Sequence, residues 1–324
     1  MITNTLTVDV EDYFQVHAFS GSIRYEDWDS FEPRVERNTH RLLDLLDSIK
    51  LSNPTNSINS SNSTNSPKAT FFILGWIADR FPALVKEIHR RGHEVACHGY
   101  AHKCIFDQTR EEFTKDVKRT KAILEDLTGE AILGYRAPTY SITRKTLWSL
   151  EILRTLGFCY DSSIFPVRHD FYGLPDAPRF PCLLSFNGKG DVDFEELEYD
   201  SGTYLASDSI LEFPLTTIRF GGYNIPVSGG GYFRLLPYSL TRKFLREINE
   251  KEERPFIFYI HPWEIDPDAP KINGAGALSK FRTYVNLNKT ENRFRRLLSD
   301  FQLSSISDCF FKYDTVAAKR MTKP

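Results

Sequence analysis

Cysteine is too sparse and too scattered to organise this chain. Its 324 residues hold five, at positions 97, 104, 159, 182 and 309. The number is odd and no Cys-x-x-Cys pair occurs, which argues against both a disulfide framework and a structural zinc cluster. Reduced thiols in a cytoplasmic protein are the expectation. No apolar run is long enough to span a membrane. Met1-Ile2-Thr3-Asn4 leads straight into a strand-like segment, with no basic region followed by a long apolar run, so no secretory signal is visible. An excess of charge of one sign is also missing. Forty-one Lys and Arg against 43 Asp and Glu leave a formal net charge of -2, so nothing points to nucleic acid or to an anionic membrane surface.

What the chain does have is a repeated alternation. Strand-like segments at Leu6–Val10, Ala69–Leu74, Glu94–Cys97, Ile132–Tyr135, Phe158–Tyr160, Ile210–Thr216, Phe256–Ile260 and Leu303–Ser307 alternate with segments of helical period. Thr109 and Glu112 form a capping-box pattern, and Gly129 stops the helix that follows. Pro82 opens another helix and Gly92 closes it. Repeated β-then-α units predict an α/β fold with a parallel sheet, and this many of them suggest a closed or nearly closed (β/α) barrel. One catalytic domain over residues 1–310 is expected, with a C-terminal tail at 311–324. Residues 52–67 are almost all Ser, Asn, Thr and Pro and read as a disordered loop. Its Asn59-Ser60-Ser61 and Asn62-Ser63-Thr64 match a glycosylation pattern that such a composition generates by chance. Residues 165–209, weakly periodic, read as an excursion over the barrel mouth.

Polar residues gather at the ends of five of these strands, the positions that converge on one face of a parallel α/β barrel. They are Asp9-Val10-Glu11-Asp12, His98 to His102, Arg136 to Tyr140, Asp161-Ser162-Ser163, and His261 to Glu264. His98 and His102 are spaced to reach one ion, and two His plus a carboxylate leave positions open for water and substrate. Three carboxylates in four positions at a strand end need a cation or an arginine beside them. Arg136 can pair with one and fix it. His261 can act as a general acid, and Asp161 can orient it.

With those residues in view, the chain resembles the polysaccharide deacetylase family, the NodB-homology group of carbohydrate esterases, in order from Thr7 to about Ser307. Thr7 to Phe14, Arg136-Ala137-Pro138 and Tyr259 to Glu264 look closest to the bacterial deacetylases associated with exosortase and exopolysaccharide loci. The resemblance implies a distorted barrel of about seven strands and a divalent ion, usually zinc, bound by one acid and two histidines. By the same resemblance Asp9 is the base, Arg136 holds it, His98 and His102 are metal ligands, His261 is the catalytic histidine and Asp161 tunes it. The family has two adjacent aspartates, whereas here Val10 intervenes; Glu11 is the first choice as acidic ligand and Asp12 the reserve. The implied chemistry is metal-assisted removal of acetyl groups from an N-acetylated polysaccharide. A backbone N–H near Tyr140 is expected to stabilise the oxyanion, as amides do in acyl transfer. In the Gly229-Gly230-Gly231-Tyr232-Phe233-Arg234 segment the glycines allow close approach, and Tyr232, Phe233 and Trp263 are candidates to stack on sugars. Two rival readings are a hydrolase of small amides such as ureides on the same barrel and a non-catalytic glycan-binding protein.

Overall fold

A computed structural model describes residues 2–49, 66–169, 171–186, 192–197 and 209–310. The Ser/Asn tract and its two glycosylation patterns, apart from residues 66 and 67, lie outside the described residues, as does the tail at 311–324. The strands are β1 (Asn4–Val10), β2 (Thr70–Ile73), β3 (Glu94–Cys97), β4 (Gly134–Tyr135), β5 (Tyr160–Asp161), β6 (Cys182–Phe186), β7 (Val192–Glu196), β8 (Ile210–Glu212), β9 (Thr217–Phe220), β10 (Tyr223–Pro226), β11 (Ile257–Ile260) and β12 (Leu303–Ser304). The main sheet runs β11-β1-β2-β3-β4-β5-β8-β6-β7, with β12 added beside the start of β1. Every pairing from β11 through to β8 is parallel.

Strand residues pack on both faces, which is why the strands read as nearly continuous apolar runs. Leu6, Val8, Val10, Phe71, Ile73, Val95, Phe258 and Ile260 face the helices in the large outer core. The alternate residues Phe72, Ala96, Leu211 and Ile257 meet Leu133 and Cys159 in a separate inner cluster. Leu211 on β8 and Ile257 on β11 can share that cluster only because the sheet curls round. Among the described residues no ladder joins β8 to β11, but the gap is bridged. Ile257 N–H donates to Thr216 Oγ1 at 2.7 Å, and Tyr259 N–H to Ser228 O at 2.9 Å. Gly229 also bridges to Tyr259, and a Cβ there would meet Tyr259 O at 2.2 Å. At Gly229 and Gly230 the close approach is therefore to β11 itself, whereas Gly231 lines the cleft.

The crossovers are helical: α1 (Val35–Ser48), α2 (Gly75–Arg80), α3 (Pro82–Arg90), α4 (Arg110–Thr128), α5 (Trp148–Thr155), α6 (Gly230–Leu235), α7 (Tyr238–Glu250), α8 (Ala277–Tyr284), α9 (Leu287–Asp300) and α10 (Ile306–Phe310). The Thr109/Glu112 capping box is formed at the start of α4, and Gly129 ends it in the left-handed conformation at φ 73°. Within 165–209 the structure departs from the expected lid. Its first residues line the mouth, but β6 runs antiparallel beside β8 and covers that edge, with β7 folded back on it. An uncovered edge would leave N–H and C=O groups unpaired. No helix among the described residues is long and apolar enough to cross a membrane. All five cysteines are free.

Candidate metal centre and active site

The carboxyl ends of β1, β3, β4 and β11 open into a cleft of about 670 Å³ that holds Asp9, Glu11, His98, His102, Tyr140 and His261. β1 ends in a three-residue turn at Val10, closed by Glu11 N–H to Asp9 O at 3.0 Å, which brings Glu11 beside Asp9. Glu11, His98 and His102 then place one ligand atom each within 4.8 Å of one another. His102 Nε2 lies 3.0 Å from Glu11 Oε2. His98 Nδ1 bonds to the Arg136 carbonyl at 2.8 Å, which leaves Nε2 as its ligand atom. Burial, with His102 nearby, lowers the His98 pKa to about 4, so its ring is neutral near pH 7, as a metal ligand must be. Burial disfavours the Glu11 carboxylate, yet His102 and His261 outweigh it and hold the pKa at about 2. A buried carboxylate facing two imidazoles is a donor set suited to a divalent transition metal.

Asp12 points elsewhere. Its Oδ2 accepts from the N–H groups of Arg34 at 2.6 Å and Val35 at 2.8 Å, capping α1, and its Oδ1 accepts from Tyr13 N–H at 2.8 Å. The structure therefore takes Asp12 out of the ligand set and leaves Glu11 in it.

Asp9 sits at the centre. Arg136, fully buried and stacked 4.2 Å from the Phe72 ring centroid, donates from Nη1 to Asp9 Oδ1 at 2.7 Å. The Tyr140 hydroxyl reaches Asp9 Oδ2 at 3.2 Å. Tyr140 has φ 53° and follows Thr139 at φ 57°, two successive left-handed residues of the kind that collect at functional sites. Its amide donates to Ala137 O at 3.0 Å, so the group that Tyr140 turns toward the reacting centre is the phenol, not its N–H.

His261 follows β11. Its Nε2 lies 3.0 Å from Glu11 Oε1 and 3.8 Å from Asp9 Oδ2, and its Nδ1 lies 2.9 Å from Glu264 Oε2. Both ring nitrogens are thus occupied by groups other than Asp161, which instead accepts from Ser163, two residues on at its own strand end. The assignment of Asp161 as the partner of His261 is corrected: Glu264 holds that place, in a tight turn over Pro262–Ile265 that puts residue i+3 beside the ring. Glu264 is itself held by Arg234 Nε at 2.7 Å. Burial opposes the imidazolium, but Glu11 and Glu264 outweigh it and raise the His261 pKa to about 9.

The expected sugar platform is also redistributed. Trp263 lines the cleft but is only 4% exposed, and it stacks at 25° on His261, where it braces the imidazole. Phe233 is in the core. Tyr232 lines the cleft, together with three residues that sequence reasoning did not single out, His169, Phe171 and Tyr172. His169 and Tyr172 stack at 3.9 Å, and Phe171 is 58% exposed at the rim.

Against known proteins, residues 56–160 match the family model described as polysaccharide deacetylase, and residues 162–311 match a domain of unknown function, DUF3473. A peptidoglycan-N-acetylglucosamine deacetylase of Bacillus cereus is 36% identical over 85 residues, which cover 26% of this chain and 31% of that protein. The chain spans about a third of the length of the curated relatives it matches. A Mycobacterium smegmatis structure described as a polysaccharide deacetylase aligns over 98% of this chain and 91% of its own, with TM-score 0.54 and 18% identity. PuuE allantoinase aligns over 99% and 92%, with TM-score 0.55 and 15% identity. At these identities the two structures speak for the fold alone. The family model and the curated relatives support a likeness to polysaccharide deacetylases over part of this chain.

Proposed function

We propose that the chain is a metal-dependent deacetylase of an N-acetylated glycan. The observation that carries this reading is one cleft holding the Glu11, His98 and His102 donor set, with the Arg136-pinned carboxylate of Asp9 and the Glu264-held imidazole of His261 both turned toward it. Glu11, His98 and His102 would hold a divalent ion, which would supply Lewis acidity for the hydrolysis when bound. Asp9 takes the proton from the attacking water through Oδ2, because Oδ1 is committed to Arg136. His261, kept protonated by Glu11 and Glu264, gives a proton to the leaving amine from Nε2. Arg136 and Tyr140 keep Asp9 aimed, and Trp263 keeps the imidazole from turning.

The allantoinase fold match keeps the ureide reading in the comparison, but the sequence matches of residues 56–160 favour a glycan. A polymer at a bacterial exopolysaccharide locus is the finer form of the proposal. The test is a substrate panel of N-acetylated oligosaccharides, an acetylated exopolysaccharide, peptidoglycan and allantoin, with acetate and ammonia release measured with and without chelator. Chelator-sensitive acetate release supports the reading. Ammonia or ring-opened product from allantoin alone replaces it with the ureide hydrolase, and glycan binding without turnover in metal-loaded protein replaces it with a lectin-like role.

A further inference from the structure

Asp161 and Glu212 stand opposite one another in the parallel register of β5 and β8, and both side chains are fully buried. Asp161 Oδ1 accepts from Ser163 Oγ at 2.6 Å and Oδ2 from Ser163 N–H at 3.1 Å. Glu212 Oε1 accepts from Ile164 N–H at 2.9 Å. No donor among the described residues reaches Glu212 Oε2, although the atom is buried and the Asp161 carboxyl is its register neighbour. A carboxylate has no proton to give, so a bond between two carboxyls requires one of them to be protonated. Burial and then the Asp161 charge push Glu212 well above the usual carboxyl range; burial also raises Asp161, but bonds from Glu212 and Ser163 favour its charge. The buried Oε2, which accepts from no donor, makes Glu212 the place for that proton.

The pair leads directly to the catalytic base. Ser163 Oγ, oriented by Asp161, accepts from the N–H of Ala137, the residue after Arg136, at 2.7 Å. Ser162 receives Arg136 Nε on its carbonyl and Nη2 on its hydroxyl, both at 2.8 Å. Arg136 Nη1 is left for Asp9 at 2.7 Å. We propose that Asp161 and Glu212 share one proton and serve as positioning residues, fixing the Ser162–Ser163 cradle that aims Arg136 at Asp9. The activity arm of the test rests on the deacetylase reading; the spectroscopic arm does not.

The test compares metal-loaded wild type with Glu212→Gln and Glu212→Ala. Infrared spectra near neutral pH show a buried protonated-carboxyl carbonyl band in the wild type that disappears in Glu212→Gln. No such band in the wild type overturns the proposal, whatever the protein hydrolyses. Gln donates to Asp161 and accepts from Ile164 as protonated Glu does, so kcat stays within about twofold. Ala frees the cradle, and a misplacement of about 1 Å costs roughly 10²-fold in kcat, with KM and bound metal unchanged. Equal loss in Gln and Ala overturns the shared proton, and wild-type kcat in Ala overturns the positioning role. Should the Ala protein not fold, Ser162→Ala takes its place. Removing the Nη2 acceptor lowers kcat by about tenfold at constant KM, in line with the loss of one hydrogen bond to a charged group, and unchanged kcat overturns the role.

Discussion

Glu264→Gln isolates one of the two carboxylates, Glu11 being the other, that raise the His261 pKa. The substitution keeps the size of the side chain and removes its charge, 2.9 Å from Nδ1. A hydrogen bond to a charged group is worth about 1.5–3 kcal/mol, and one pKa unit is about 1.4 kcal/mol. Losing the charge should bring the imidazolium down by about one to two pH units. His261 has a raised pKa, about 9, so its proton-donating form is complete below the ordinary histidine value and is lost as pH rises through the folded value. The alkaline limb of kcat therefore moves to lower pH in Glu264→Gln, while activity near about pH 6 changes little. A bound divalent ion takes up much of the Glu11 charge, so the informative quantity is the difference between wild type and variant, not the wild-type limb alone. Gln can still accept from Arg234 Nε, but the buried Arg234 charge loses its partner, for which a cost of roughly 3–5 kcal/mol is expected; a thermal melt checks that the protein is folded. The assay is acetate release across the pH range, with an NMR titration of His261 in the same samples. An unmoved limb and an unmoved imidazole resonance refute the assignment, and movement in Asp161→Asn instead restores Asp161 as the partner.

Three further outcomes separate the site from the scaffold. Glu11→Gln should lose bound metal, read by elemental analysis after dialysis, whereas Asp12→Asn should keep it and lose about 0.5–2 kcal/mol of stability as the α1 cap weakens. Asp9→Asn should stay folded and metal-loaded yet lose acetate release by at least about 10²-fold, the scale of general-base catalysis. Gly229→Ala should unfold at lower temperature than wild type, because its φ of 148° disfavours a side chain and the new Cβ would sit 2.2 Å from Tyr259 O.

The strands were legible because both faces of the sheet are apolar, so Phe71-Phe72-Ile73 and Ile257 to Ile260 stand out as unbroken runs. The site was legible because polar residues at the ends of such runs have few reasons to be there, as Asp9, His98, Arg136 and His261 illustrate. What stayed hidden depends on direction. Asp161 and Glu264 are both acids near a strand end, and only the turn over Pro262–Ile265 tells which one reaches the imidazole; the i+3 spacing from His261 was the available signal. Glu212 lay concealed within Ile210-Leu211-Glu212-Phe213, where one charge in an apolar strand gives no hint of its neighbour on β5. Trp263 looked like a sugar platform because an aromatic beside a catalytic histidine can face either way.

The family matches divide the chain near residue 160, but the chemistry does not divide there. His98, His102, Arg136 and Tyr140 fall within the deacetylase match, while His261, Glu264, Arg234 and Glu212 fall within the segment matched to a domain of unknown function. Asp9 and Glu11 precede both, on β1, which pairs with β2 on one side and β11 on the other. β1 is thus the hinge of the arrangement: its end carries the base and the acidic ligand to the one place where a histidine pair from one segment and an acid from the other can both reach them. Neither matched segment holds the whole cluster, because the deacetylase match alone lacks His261 and the other lacks Glu11, His98 and His102. The physical role of residues 162–311 is then to complete the curled sheet and deliver its acid to a site begun elsewhere in the chain. A loss of His261 alignment should therefore follow from damage to the β1–β11 pairing, even where every residue lining the cleft is untouched.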